Sequence, residues 1–374
     1  MTQNERAVIP MVRPEVEGVD ELAGTLAGIL RSGRLTNGGP FLAEFEAALA
    51  SSLGAEDAVA LTNGAIAIDL AIEAAGVPRG RAILPAFTFI ATLNAAVHAG
   101  FEPVFCDIDP QTWTLDPEHL GRLLAQRGAT LILPVNVFGV PPALDEIAAL
   151  ARTAGAAVIY DCAHGMGTAA PGTDAAALTR ARTFSFHATK VLVAAEAGAV
   201  LSADREVLAR ARLLRNHGLA QPTVVAHWGF NAKLDELRAA VGLASLRRLP
   251  EVLGRRRTYF ERLRAALSRH PGVYRVQRIP DGVCPNGQNL GVWLPDRNLE
   301  AAIAAFAQRG VEARRYFYPP LHTIPQLAGS CELARTERLC RSQICLPLHG
   351  RMDEGTLQRI ETAIDEVAGE LVPA

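Results

Sequence analysis

Two side chains in this chain have the type and setting to do covalent and acid–base chemistry. Lys190 closes the stretch Thr183-Phe184-Ser185-Phe186-His187-Ala188-Thr189-Lys190 and is followed by Val191, Leu192 and Val193. A lysine is ordinarily a solvated surface cation. In an apolar surround its charged form is disfavoured, which leaves an amine able to attack a carbonyl and to carry a proton. Asp161 directly follows the apolar run Ala156-Ala157-Val158-Ile159-Tyr160. It reads either as a capping or turn aspartate or as the anionic partner of a protonated ring nitrogen.

Three further groups fit around that pair. Gly64 and Ala65 stand at a strand-to-helix junction, where backbone N–H groups hold phosphate and small residues let it approach; Ser185 can add a hydroxyl to the same anion. Phe89, in Pro85-Ala86-Phe87-Thr88-Phe89, is either a core residue or a plate stacked on a flat ring. An amine, a carboxylate, a phosphate cradle and an aromatic plate are what pyridoxal phosphate asks of a protein. Each signal has a purely structural reading as well; their joint occurrence at strand ends carries the weight.

The elements that must position these residues follow from the pattern. Short apolar runs at 58–61, 81–84, 103–107, 131–135, 156–160, 183–186 and 198–201 alternate with longer amphipathic stretches, predicting a mostly parallel α/β sheet covered on both faces. In such sheets ligands bind beyond the carboxyl ends of the strands. A basic helical stretch from Leu246 to Leu267 with Arg247, Arg248, Arg255, Arg256 and Arg257 reads as a solvated face linking two units. Beyond it the pattern predicts a strand at 289–294, a helix at 299–308, a strand at Val311–Arg315 and a helix at 353–367. The expected division is a large domain over 1–245 and a smaller α/β domain over 246–374.

Composition excludes several classes. The 374 residues, 49% hydrophobic and 20% charged with a formal net charge of −2, offer no basic footprint for nucleic acid or anionic membranes. The polar start Met1–Arg6 is not a signal peptide, and no run reaches a membrane span, so the expected compartment is the cytoplasm. The six cysteines form no CxxC pair. Cys331, Cys340, Cys345 and His349 fit no standard zinc spacing, so no metal is expected. No GxGxxG stands between an early strand and helix, which argues against a dinucleotide-dependent oxidoreductase.

The segments Thr62–Ala67, Pro85–Thr92, Phe105–Pro110, Tyr160-Asp161-Cys162-Ala163-His164, Phe184–Lys190, Gly229–Leu237 and Tyr318-Pro319-Pro320-Leu321-His322 resemble the DegT/DnrJ/EryC1/StrS family of pyridoxal-phosphate-dependent sugar aminotransferases. The resemblance runs over essentially the whole chain. It implies the fold type I architecture of aspartate aminotransferase, a seven-stranded sheet with a smaller C-terminal α/β domain. It also implies that Lys190 carries the cofactor as a Schiff base and shuttles the proton, that Asp161 pairs with the pyridinium nitrogen, and that His164 contacts the ring oxygen. Phe89 then stacks on the ring, and Gly64, Ala65 and Ser185 hold the phosphate. Asn231 matches an asparagine that reaches the phosphate of a neighbouring subunit, so a homodimer with shared sites is implied. Two departures stand out: Glu196-Ala197-Gly198 where the family has Glu-Gly-Gly, and Asn136 where many members have histidine.

The implied reaction is ping-pong amination of a nucleotide-linked keto sugar by L-glutamate. The turn Arg34–Pro40 and the Asn231-Ala232-Lys233 variant look most like members that aminate C4 of a dTDP-4-keto-6-deoxyhexose. A 3-keto sugar or a cyclitol ketone is the alternative. Lys233, Tyr318 and His322 are the candidate substrate contacts, each also readable as a packing or interface residue. A sugar dehydratase is disfavoured because that branch replaces the lysine with histidine, and a non-catalytic regulator because the cofactor set is complete.

Overall fold

The computed structural model describes residues 8–16, 18–295, 297–327 and 331–371. Two helices, α1 (Val19–Ser32) and α2 (Pro40–Ser52), precede the strand β1 (Val59–Leu61). The chain then alternates through α3 (Gly64–Ala75), β2 (Arg81–Pro85), α4 (Ile90–His98), β3 (Glu102–Cys106), α5 (Pro117–Arg127), β4 (Leu131–Ile132), α6 (Leu144–Ala154) and β5 (Ala157–Asp161). After α7 (Ala175–Leu178) come β6 (Ala181–Ser185), β7 (Gly198–Leu201) and α8 (Arg205–Arg215). These strands form one seven-stranded sheet in the order β1-β7-β6-β5-β4-β2-β3, in which only β7 runs against its neighbours. The α/β alternation of the sequence therefore yields the mostly parallel sheet it predicts.

The sheet's strands are buried runs of Val, Ile, Leu and Ala, as expected when helices cover both faces. One core lies between the sheet and α3, α4 and α8; the other lies between the sheet and α2, α5, α6 and the first half of the helix that follows. A short hairpin, β8 (Leu219–Gln221) and β9 (Val224–Val225), precedes that helix, α9 (Glu236–Ser268). The helix runs without a break for 33 residues and carries Pro250 within it. The smaller unit comprises β10 (Arg275–Val276), β11 (Leu290–Trp293), α10 (Leu299–Gln308), α11 (Ala334–Ser342), β12 (Gln343–Leu346) and α12 (Glu354–Leu371), with its strands ordered β10-β11-β12.

Three expectations need correcting. Residues Val311–Arg315 form no ladder strand; Val311 and Arg314 make single bridges to Ile9 and Cys345, because the place beside β11 is taken by β12. The basic run on α9 is not solvated throughout: Arg247 and Arg248 pair with Glu44 and Glu251, but Arg256 is buried and donates to the carbonyls of Gly287, Gln288 and Leu348. The N-terminal segment also departs from its place with the large unit, since Ile9 packs in the core of the smaller one.

The start of α2 is capped from a distance. Its N-cap residue, Gly39, has no side chain, so the orphan N–H groups of Phe41 and Leu42 donate instead to the Glu236 carboxylate at 2.9 and 3.0 Å. Glu236 is only 1% exposed, and a Cβ on Gly39 would sit 2.2 Å from its Oε2. This joins α2 to the first turn of α9. Glu236→Ala strands two N–H groups and is expected to cost about 2–4 kcal/mol in urea unfolding, with Glu236→Gln recovering part of the loss. An unchanged midpoint in the alanine variant would show that the cap contributes nothing.

Candidate active site

Asp161 ends β5 and Ser185 ends β6, so both lie on the carboxyl edge of the sheet. The parallel register sets Asp161 beside Thr183, with both side chains on one face. The Asp161 carboxylate is 4% exposed. Its Oδ1 accepts from the Ala163 N–H at 2.9 Å and its Oδ2 from the Thr92 hydroxyl at 2.8 Å; Thr92 is itself linked to Thr88 at 3.0 Å. Burial pushes the carboxyl above its usual range, opposed by those two hydrogen bonds and by Lys190. A carboxylate held this way is relieved by a cation placed against it.

Lys190 lies on the loop between β6 and β7. Burial lowers its ammonium to about 8, against the pull of Asp161 and Glu196 in the other direction. The loop is pinned by its own backbone, with Lys190 N–H donating to the His187 carbonyl and Ala188 N–H to the Ala195 carbonyl, both at 2.8 Å. It is also clamped from the smaller unit. Gln288 accepts from the Val191 N–H at 3.1 Å and donates to the Thr189 carbonyl at 3.0 Å, bracketing Lys190 on both sides. Asn286, two residues earlier, donates to the carbonyls of His164 and Met166 at 2.7 and 2.9 Å. One short segment therefore positions both the lysine loop and the histidine loop.

His164 is buried, and its Nδ1 accepts from the Phe138 N–H at 3.2 Å, which assigns its proton to Nε2. Burial, then the nearby Lys190 charge, hold it neutral well below the usual imidazole range. Its ring lies near-parallel to those of Phe138 and Phe317. Both phenylalanines have a left-handed backbone, φ 58° and 55°, an uncommon state for bulky residues that clusters at functional sites.

The candidate phosphate cradle is built from close backbone approach. Asn63 caps α3 by accepting from the Ile66 N–H at 2.9 Å, and the N–H groups of Gly64 and Ala65 precede that bond at the helix start. A Cβ on Gly64 would fall 2.6 Å from Ser185 Cβ, and one on Gly198 2.4 Å from the Asn63 carbonyl oxygen. Glycine at both positions is thus what lets the helix start and the end of β6 meet. Phe89 is 64% exposed, so it is not a core residue. These residues fit pyridoxal phosphate: the cradle for its phosphate, the amine for its carbonyl and the buried carboxylate for its ring nitrogen. The orphaned Thr183 hydroxyl beside Asp161 is a further polar group on that floor.

The remaining candidates lie elsewhere. Asn231 is exposed and accepts from the Lys233 ammonium at 2.8 Å. Tyr318 is 54% exposed, with the Arg315 guanidinium 3.6 Å from its ring centre. His322 is 2% exposed and sits against Phe105 with its Nε2 3.2 Å from Glu337, so its ring is engaged inside the fold. The Asn136 side chain faces the rear of the sheet, donating to the Tyr160 hydroxyl at 3.3 Å. Ala197 is buried, and its carbonyl accepts from the Phe186 N–H. Sequence reasoning missed Thr92, Thr183, Phe138, Phe317, Asn286 and Gln288 as site residues; Thr92 and Thr183 lay within segments already singled out. Among the described residues no group of three or more His, Cys, Asp or Glu is placed to hold a metal ion, and no helix is long and apolar enough to cross a membrane.

Comparison with known proteins shows the family and the fold. The model of the DegT/DnrJ/EryC1/StrS aminotransferase family matches residues 17–365. The chain is 32% identical over 348 residues to the dTDP-4-dehydro-2,3,6-trideoxy-D-glucose 4-aminotransferase of Saccharopolyspora spinosa, covering 88% of each chain. It is 30% identical to the GDP-perosamine synthase of Caulobacter vibrioides, covering 88% of this chain and 90% of that protein. The crystal structure of DesI in the presence of its TDP-sugar product superposes with a TM-score of 0.89 at 33% identity, covering 96% of this chain and 93% of DesI.

Two outcomes follow from the lysine and its clamp. The rate at which the cofactor-free protein captures pyridoxal phosphate depends on neutral amine, so it is expected to rise with pH, to be half-maximal near 8 and then to level. A rate still climbing past about pH 10, as for a solvated lysine, would show that the amine is not desolvated. Gln288→Leu leaves the Val191 N–H and the Thr189 carbonyl unpaired and is expected to lower turnover about tenfold or more while moving that half-maximal pH. A lowered unfolding midpoint with both rate and pH profile intact would reduce Gln288 to a packing residue.

Proposed function

The chain belongs to the DegT/DnrJ/EryC1/StrS aminotransferase family and is a pyridoxal-phosphate enzyme, and from that premise we propose that it moves the amino group of L-glutamate onto a keto sugar carried on a nucleoside diphosphate. The first-choice acceptor is a dTDP-4-keto-6-deoxyhexose aminated at C4. The observation that carries the reading is the enclosed amine of Lys190, lowered to about 8, on the same sheet edge as the buried carboxylate of Asp161. The relatives' names support the acceptor class: one is a dTDP-4-dehydro sugar 4-aminotransferase and another a GDP-perosamine synthase.

When bound, pyridoxal phosphate supplies the electron sink that makes the C–H bond beside the transferred nitrogen acidic. The chain's own residues do the rest. Lys190, neutral in a large fraction near its lowered value, takes and returns the proton. Asp161 holds a positive charge at the ring nitrogen, fixed in place by Thr92 and the Ala163 N–H. His164, neutral with its proton on Nε2, offers a donor to a ring oxygen. The start of α3 with Ser185 receives the phosphate.

A homodimer fits the exposed surface. Val224, Val225 and Trp228 on and beside the β8–β9 hairpin are 47%, 68% and 91% exposed, an apolar patch that a second copy would cover. Asn231 and Lys233 lie just beyond it, in reach of a partner's site on this reading. Lys233 and Tyr318 remain the candidates for contacts to the sugar nucleotide. His322 we assign to holding the Tyr318–Leu321 segment, which also bonds to the large unit through Leu321 N–H and the Ala86 carbonyl.

Purified protein supplied with pyridoxal phosphate is expected to show a visible absorbance band that converts to the pyridoxamine form on addition of L-glutamate and returns on addition of a dTDP-4-keto-6-deoxyhexose. Lys190→Ala should lose both conversions. A band that ignores glutamate would assign another donor, and return only with a 3-keto sugar or cyclitol ketone would reassign the acceptor.

A further inference from the structure

A cavity of about 1370 Å³ lies away from Lys190. It lies on the opposite face of the sheet, at β5 and β6, between α6 and α7 on one side and α9 on the other. Strand alternation sends Tyr160 and Cys162 to this face while Asp161 points to the other. The floor is Asn136, Tyr160, Cys162 and Arg182; the walls are mixed, with an apolar part formed by Phe184, Met166, Leu246, Leu249 and Leu253 and a polar part carrying Asp116, Asp145 and Asp174.

Two floor groups have unused hydrogen-bonding capacity. Arg182 is half-buried; among the described residues no hydrogen bond or ion pair reaches its guanidinium, and its Nε is shielded from solvent without a partner. An unpaired guanidinium set into a fold is costly and is relieved by an anion. Asn136 is 2% exposed, and its Oδ1 is a buried acceptor with no donor. The Tyr160 oxygen accepts from Asn136 Nδ2, and its O–H is engaged with the Cys162 thiol. Tyr160 and Arg182 are direct partners across the β5–β6 register, so their side chains lie on the same face.

The nearby carboxylates do not neutralise Arg182. Asp116 caps α5 and pairs with Arg335, Asp174 caps α7, and Asp145 accepts from the Thr173 hydroxyl. Their charge around the mouth disfavours a polyanion such as a nucleoside diphosphate. An apolar wall section, one unpaired cation and one free acceptor define a different ligand.

We propose that this rear cavity is a second ligand site, for a small monoanion with an apolar body and a hydroxyl or amide donor, its carboxylate held by Arg182 and its donor by Asn136. An aromatic hydroxy acid has this chemistry. The site is separate from the cofactor cradle, since the two lie on opposite faces of β5.

The test is calorimetric titration of the cofactor-loaded protein with 6-hydroxy-2-naphthoate and with its neutral amide, 6-hydroxy-2-naphthamide. The acid is expected to bind once per chain and at least about tenfold more tightly than the amide, as a hydrogen bond to a charged group predicts. Arg182→Gln should erase that preference. Ala176→Trp, which places an indole in the cavity from α7, should remove binding of both while the cofactor absorbance band persists. Equal binding of acid and amide, or no binding of the acid to the unaltered protein, overturns the proposal. So does a preference retained in Arg182→Gln, which would put the acid in the phosphate cradle instead. If Arg182→Gln does not fold, undiminished acid binding by Ala176→Trp overturns it equally.

Discussion

The site depends on keeping an amine and a carboxylate out of water at the same edge of the sheet. Water would hold Lys190 as a solvated ammonium and Asp161 as a hydrated carboxylate, and neither would then be primed for a cofactor. Burial disfavours the charge on each, lowering the amine and raising the acid. Their mutual attraction and the bonds from Thr92 and Ala163 offset part of that penalty. What remains is a site whose two ionisable groups are stabilised by a bound molecule carrying a reactive carbonyl and a ring cation.

Holding such a pair requires backbone approach that most side chains forbid. The start of α3 meets the end of β6 only because Gly64 and Gly198 have no Cβ, and the Asn63 cap leaves the helix's first N–H groups pointing at the junction. The lysine loop cannot be fixed by the large unit alone, since its flanking groups at Thr189 and Val191 face the smaller one. Gln288 supplies both missing partners, and Arg256, buried beside Glu15, holds the carbonyls of Gly287 and Gln288 in turn. The buried arginine of a run that looks solvated in sequence is thus a support of the catalytic loop two bonds removed.

The same facts explain which parts of the site could be read from sequence. Asp161 stands directly after an apolar run, and Gly64 and Lys190 stand shortly after one, so the rule that ligands bind beyond the carboxyl ends of the strands makes them candidates with no three-dimensional information. Thr92 and Thr183 become neighbours of Asp161 only through helix placement and strand register. Asn286 and Gln288 sit in the loop before β11, about a hundred residues from the lysine loop they clamp, with nothing local to mark them. Errors in the fold have a similar origin. Val311–Arg315 has the composition of a strand, but composition cannot say which segment takes the place beside β11, and β12 takes it. The basic run suggests a solvated face, whereas packing against α1, α2 and α12 buries part of α9.

β5 also sets the relation between the two faces. Because side chains alternate, the strand that presents Asp161 to the Lys190 side of the sheet must present Tyr160 and Cys162 to the rear. Asn136 joins them: its N–H donates to the Asp161 carbonyl at 2.9 Å while its side chain bonds to the Tyr160 hydroxyl. A ligand on the rear face can alter the cofactor side only if it binds two arrangements of this strand unequally. The core around β5 is close-packed, and such interiors shift between discrete packings rather than deform continuously. Occupancy behind the sheet therefore need not change the chemistry in front of it; where it does, the Asn136 amide is the link through which a change in Tyr160 reaches the backbone of Asp161.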